Sequence, residues 1–198
     1  MAKSPMTGFT AIPGCSPSSF DAIRMLRLFV GIALPPELKL RLSLLASGVP
    51  GARWVDPGNY HLTLRFIGEV DEGTASDVDA ALLPIRAGTF AVTLAGVGRF
   101  ADRMLWVGVE KSPPLVHLRD KIESALVRLG LEPETRRYAP HVTLARLRNA
   151  GEAKLREFIT EHALFRAEPF QVDKFSLVAS YLTKAGSIYE DQADYELG

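Results

Sequence analysis

Two histidines stand in matching frames. His61-Leu62-Thr63-Leu64 recurs as His141-Val142-Thr143-Leu144, so two of the chain's four histidines share one context. In a strand, side chains two positions apart leave the same face, roughly 6–7 Å apart along the chain. Each run then presents an imidazole beside a hydroxyl, with Leu62, Leu64 and Phe66, and Val142 and Leu144, expected on the core side. An imidazole titrates near pH 6.5, so at neutral pH one of a pair can take a proton while the other gives one. Two hydroxyls can donate to the non-bridging oxygens of a phosphate. If the two strands pack pseudo-symmetrically, the set suits cleavage of a cyclic phosphodiester. A lone strand histidine is more often structural; the duplicated frame favours chemistry.

Arginines gather around the second frame. Arg136, Arg137, Arg146 and Arg148 bracket it with no acidic residue between them, and guanidinium suits phosphate oxygens. Some of these four can equally form a solvated basic face. Arg65 shares the His61 and Thr63 face by parity and is a further candidate. Arg146, three residues after Thr143, is off parity and reaches the same opening only if the strand bends or ends there. His117 and His162 are expected at the surface, and Trp54 and Trp106 in the core. The glycines of AGVGRF match no phosphate loop. Two histidines alone make a poor zinc site, which wants three or four ligands.

The 198 residues include 23 Lys plus Arg and 23 Asp plus Glu, for zero net charge. Proteins that coat long nucleic acids carry a basic excess, so a nucleic-acid role here should be confined to an end or a small site. The single cysteine, Cys15, excludes an internal disulfide and a cysteine zinc site. No apolar run approaches the roughly 18–20 residues of a membrane helix, and the first residues lack a signal-peptide core. The expectation is a cytoplasmic monomer with no membrane and no protein partner.

The elements that must carry the two frames follow from period and punctuation. Residues 1–24 are rich in Ser, Pro and Gly without period and read as a flexible extension; residues 25–198 read as one domain. Strands are expected over 27–34, 60–69, 90–100, 104–110, 141–147, 170–182 and, more weakly, 187–197. A helix opens at Pro35-Pro36 and closes at Gly48. Others are expected over 72–83, 115–129 and 152–162, the one over 115–129 with Leu115, Leu118, Ile122, Leu126 and Leu129 on one side. The order predicts α+β architecture: bilobal, pseudo-duplicated, mostly antiparallel sheets around a central cleft with helices outside.

On these residues the chain resembles the RNA 2',3'-cyclic phosphodiesterases, the 2'-5' RNA ligase-like family of two-histidine phosphoesterases. The resemblance extends through MLRLFVGIALPPEL, RWVDPGNYHLTLRFIGEV, MLWVGVE, RRYAPHVTLARL and SLVASYLTKAGSIYE, from about Met25 to the C-terminus. It implies a bilobal fold and metal-independent hydrolysis of a terminal 2',3'-cyclic phosphate to a 2'-phosphate. Reversible 2'-5' joining is implied as a side activity. Carried over by position, His61 and His141 are catalytic, Thr63, Thr143 and Arg146 hold the phosphate, and Tyr138 flanks the nucleotide, with Arg65 as a further flanking candidate. The family's first frame usually has Leu before His; Tyr60 departs from that without touching the chemistry. No cofactor or metal is implied, and the partners are RNA ends or small oligonucleotides with a 2',3'-cyclic phosphate. His141 is read as the base and His61 as the acid, with the reverse open. Two alternatives remain: a nucleotide- or RNA-end-binding module without turnover, and the same chemistry on a small cyclic nucleotide.

Overall fold

Leu26, Leu28, Val30 and Ile32 alternate along the first strand and are all buried, while Phe29, Gly31 and Ala33 leave the other face. The structure, a computed structural model, describes residues 25–101, 103–183 and 186–198. The expectations for residues 1–24 and Cys15 fall outside these. The elements are β1 (Leu26–Ala33), α1 (Pro36–Ser43), β2 (Ala52–Trp54), β3 (His61–Val70), α2 (Glu72–Leu82), β4 (Phe90–Val92), β5 (Leu94–Phe100) and β6 (Met104–Val109). They continue as α3 (Pro113–Arg128), β7 (His141–Leu147), α4 (Glu152–Glu161), β8 (Phe170–Val172), β9 (Lys174–Leu182) and β10 (Ser187–Glu196). No helix among the described residues is long and apolar enough to cross a membrane.

Two antiparallel sheets form, ordered β10-β9-β1-β3 and β2-β7-β6-β5, with a small β4-β8 pair beside them. The strand expected over 90–100 divides at Thr93, and that over 170–182 divides at Asp173. The division serves the topology. β5, late in the first half of the chain, pairs with β6 of the second half. β9, late in the second, returns to β1 of the first. Each half therefore completes the other's sheet, and one continuous apolar core runs through both. The short β2 was not expected; it joins β7 across the cleft from its own half. The first helix stops at Ser43, a turn before the expected Gly48, and Leu129 at the end of α3 is exposed.

Both histidine strands carry a one-residue bulge at the same place. On β3, Thr63 opposes Gly31 and Arg65 opposes Val30, so Leu64 is extra. On β7, Thr143 opposes Trp106 and Ala145 opposes Leu105, so Leu144 is extra. Directly opposed residues share a face, and a bulge shifts the residues after it to the other one, on β3 as far as a second slip at Ile67. Leu64, Leu144 and Ala145 stay buried. Phe66, expected in the core, instead opposes Phe29 and is 56% exposed on the cleft side. Arg65 is turned to the Val30 side, away from His61. Arg146 opposes Met104 and regains the face of Thr143.

Trp106 also departs from expectation. It opposes Gly98 on the cleft face of the second sheet, and its indole lies flat over two glycines. A β-carbon at Gly98 would stand 2.4 Å from the ring, and one at Gly108 would stand 3.2 Å from it. Gly98→Ala should displace the indole and cost about 1–3 kcal/mol as overpacking. Urea denaturation followed by tryptophan emission tests this; an unchanged midpoint and spectrum would contradict the packing.

Candidate active site

His61 and His141 each open a strand, and each is gripped from behind in the same way. Nδ1 of His61 donates to the Asn59 carbonyl at 2.8 Å, and Nδ1 of His141 donates to the Ala139 carbonyl at 2.8 Å. A carbonyl only accepts, so Nδ1 carries the proton in both rings, and Nε2 is left to exchange protons with a ligand. The carbonyl of Asn59 is itself placed by the 3-10 turn Pro57–Asn59, whose start is capped by the Asp56 carboxylate on the Gly58 N–H at 2.7 Å. The Asn59 amide also donates to the Ser187 carbonyl at 2.6 Å, tying this turn to the start of β10.

Aromatic rings flank both imidazoles. Phe29 lies 4.6 Å from His61 by ring centroids, and Tyr189 meets it edge-on at 5.1 Å. Phe100 meets His141 edge-on at 4.8 Å, with Trp106 at 6.5 Å. Burial against these rings disfavours the charged imidazolium, so both histidines hold a proton less readily than the usual value near 6.5. For His61 the positive charges of Lys39 and His141 push the same way, while the Asn59 carbonyl opposes them. The strands that the two histidines open, β3 and β7, lie against one another, and His141 adds a smaller push in the same direction on His61.

Thr63 and Thr143 share faces with their histidines through the register, and the Thr143 hydroxyl donates to the weak sulfur acceptor of Met104 at 3.3 Å. Arg146 is exposed on that face. Of its neighbours in sequence, Arg136 pairs with Glu134 at 3.3 Å and stands well exposed, while Arg148 lies past the end of β7. Arg65 is not part of the opening. Its Nε meets Glu123 of α3 at 2.6 Å, and its other nitrogens donate to the Glu132 and Phe66 carbonyls. Arg119 joins the same carboxylate at 3.5 Å and covers the ring of Tyr138. Tyr138 in turn donates to the Thr63 carbonyl at 3.2 Å. Arg65 and Tyr138 thus brace the Thr63 bulge from behind.

A cavity of about 120 Å³ opens beside His61, lined among others by Phe29, Lys39, Tyr189 and Asp191. Among the described residues no three His, Cys, Asp or Glu gather as a metal site. The aromatic flanks and Lys39 escaped the sequence reading. Phe29 alone carried a signal, as the odd-parity aromatic between Leu28 and Val30.

Residues 40–183 match the 2'-5' RNA ligase superfamily. The RNA 2',3'-cyclic phosphodiesterase of Aeropyrum pernix is 37% identical over 158 residues, covering 77% of this chain and 89% of that protein. The protein of the same description from Aquifex aeolicus is 28% identical over 191 residues, covering 89% and 100%. The crystal structure of E. coli LigT complexed with 3'-AMP superposes with a TM-score of 0.74 at 28% identity, over 88% of this chain and 99% of that one. A Thermus thermophilus protein, TT0787, shares the fold at a TM-score of 0.72 and 23% identity, over 86% and 97%.

The two depressed imidazoles make a titration experiment decisive. The unfolded chain protonates its histidines near pH 6.5 and the folded chain only lower, so the unfolded state binds more protons in between. His61 and His141 therefore withdraw stability as pH falls below about 6.5 and leave it unchanged above. NMR titration of the Cε1 protons should give both midpoints below 6.5, and His141→Gln should raise the His61 midpoint by removing the neighbouring charge. A His61 midpoint at or above 6.5, or one indifferent to His141→Gln, would sink this account.

Proposed function

The chain belongs to the 2'-5' RNA ligase superfamily, and from that premise we propose that it hydrolyses the terminal 2',3'-cyclic phosphate of RNA to a 2'-phosphate. The observation that carries this reading is the matched pair of imidazoles, each with Nδ1 fixed on a carbonyl so that Nε2 is left for proton exchange. Water attacks phosphorus in line with the departing 3'-oxygen. One Nε2 takes the proton of the water while the other, protonated, gives its proton to the 3'-oxygen; the P–O3' bond breaks and the 2'-ester remains. Burial suits this division. A ring that protonates reluctantly is ready as a base, and a protonated one in the same dry setting is a stronger acid.

Thr63, Thr143 and Arg146 are proposed to hold the non-bridging oxygens. Fixed donors in place before reaction stabilise the extra charge as it builds on them. Arg65 and Tyr138 enter as braces of the Thr63 segment. All proton transfers are assigned to protein groups, so turnover is proposed to be independent of metal. With a ribose 5'-hydroxyl in place of water, the same geometry yields a 2'-5' linkage, which accounts for reversible ligation as a side reaction.

Turnover of a cyclic-ended oligonucleotide in EDTA, with 2'- resolved from 3'-phosphate by chromatography, tests the reading. His61→Ala or His141→Ala alone should lower kcat/KM by about 10²–10⁴-fold. The double variant should be little worse than the poorer single one, because the two act in the same step. Thr63→Ala or Thr143→Ala should cost less, about 1.5–3 kcal/mol of a charged hydrogen bond. Binding without turnover by the wild type would favour the non-catalytic alternative, and loss of activity on chelation would overturn metal independence.

A further inference from the structure

The cavity beside His61 carries two charges, Lys39 and Asp191, that the reaction proposed above does not use. Its floor belongs to the first sheet. Asp191 on β10 opposes Val178 on β9, which opposes Phe29 on β1. In the next row Asp194, Ser176 and Gly31 follow, ending at Thr63 on β3. Directly opposed residues share a face, so Asp191 and Thr63 rise from the same side of one sheet, on its two edge strands. Three strand spacings, about 14 Å between backbones, separate those strands. Gly31 puts no side chain on the floor between them. Tyr189 meets Phe29 edge-on at 5.1 Å, and both rings line the cavity. An ammonium has three hydrogens, and Lys39 gives one to the Gly58 carbonyl at 2.8 Å. Both donors nearest the two carboxylates, Lys174 and Ser176, go to Asp194 at 2.6 Å rather than to Asp191. Burial and the charge of Asp194 hold the Asp191 carboxyl above the ordinary aspartate range, against the pull of Lys174 and Lys39.

Aromatic rings joined to one cation and one carboxylate suit a flat ring whose edge sets an acceptor beside donors. Single-stranded RNA bases are recognised by such stacking and by hydrogen bonds along the base edge. Of the four bases, guanine alone sets two donors, N1–H and the N2 amino group, next to an acceptor, O6. A carboxylate accepts from both donors at once, and an ammonium gives to O6. Adenine and cytosine offer one amino group beside a ring nitrogen that repels a carboxylate, and uracil offers one N–H between two carbonyls. With the cyclic phosphate at Thr63, the rest of the terminal nucleotide extends over Gly31 toward β10. We infer that the cavity is a guanine subsite for that nucleotide, in which Asp191 accepts from N1–H and the N2 amino group and Lys39 donates to O6. The inference rests on the function proposed above and names the RNA end that it favours, one closing in guanosine.

The test compares kcat/KM on the 2',3'-cyclic phosphates of guanosine, inosine, adenosine, cytidine and uridine. The wild type should favour guanosine over adenosine, cytidine and uridine by about tenfold, the scale of one good two-point contact to a base. Inosine lacks the N2 amino group and should fall between guanosine and adenosine. Asp191→Asn should bring guanosine down to the adenosine value, leave the other three bases within about twofold, and keep the thermal midpoint, since the side chain is exposed at the cavity rim. Lys39→Met should narrow the ratio of guanosine to adenosine. Calorimetric binding of 2'-GMP and 2'-AMP separates the subsite from turnover. Equal wild-type values on guanosine and adenosine, or the same loss on every base in Asp191→Asn, would overturn the inference while leaving the proposed function standing. No turnover of any substrate, with 2'-GMP still bound about tenfold tighter than 2'-AMP, would overturn the proposed function and support the subsite. No turnover and equal binding would overturn both.

Discussion

A β-strand shows one of its faces only at every second residue, yet three polar groups of the second histidine strand share one face at an incompatible spacing. On β7 these are His141, Thr143 and Arg146, at offsets of zero, two and five. Parity allows the first two and forbids the third. The bulge at Leu144 resolves the conflict by inserting one residue that stays buried while everything after it changes face. The same device at Leu64 carries Phe66 to the cleft and turns Arg65 toward Glu123. A bulge leaves backbone groups without ladder partners and needs support. Behind β3 that support is the cluster of Arg65, Glu123 and Arg119, with Tyr138 bonded to the carbonyl of Thr63 itself.

Catalysis by two imidazoles needs them dry enough to be reactive and still able to take a proton, and these demands oppose each other. The aromatic rings around His61 and His141 supply the dry side, since burial penalises the cation. The carbonyls of Asn59 and Ala139 supply the counterweight. Each accepts from Nδ1, favours the protonated ring and holds its orientation. The exchange of β5 and β9 between halves fixes these parts relative to one another. Phe100 ends β5, in the chain's first half, yet flanks the second histidine. Tyr189 belongs to the last hairpin yet flanks the first. Neither ring could be placed from its own half alone.

The histidine and threonine positions were legible because repetition and parity are properties of the sequence. The helices, most strands and the α+β class were legible from period. What parity cannot show is a change of parity. Nothing in RFIGEV announces that the register slips after Thr63, so Arg65 and Phe66 were read onto each other's faces. ARL after Thr143 hides the same slip, which left Arg146 off the opening. β2 was missed because three residues carry no period, and Trp106 because an indole lying flat on glycines looks apolar in sequence. Its signature was the pair Gly98 and Gly108, whose missing side chains are meaningful only once the strands are paired.

The two halves supply equivalent histidines and threonines, but five residues beyond each histidine they diverge. The second half presents Arg146, and the first presents Phe66, half exposed and beside Phe29 at 6.0 Å. Because both bulges fall at the same offset, these two side chains occupy equivalent places on opposing walls. One wall is therefore charged and the other aromatic around a pair of imidazoles held in the same way. On the function proposed above, the phosphate would settle toward the cationic wall and the apolar face of a base or sugar against the aromatic one. A symmetric cleft would bind a cyclic phosphate in either sense, with each imidazole facing the departing oxygen half of the time. On the function proposed above, the Arg146 and Phe66 difference would remove that degeneracy, and residues outside the proton transfers would then set the division of labour between the histidines.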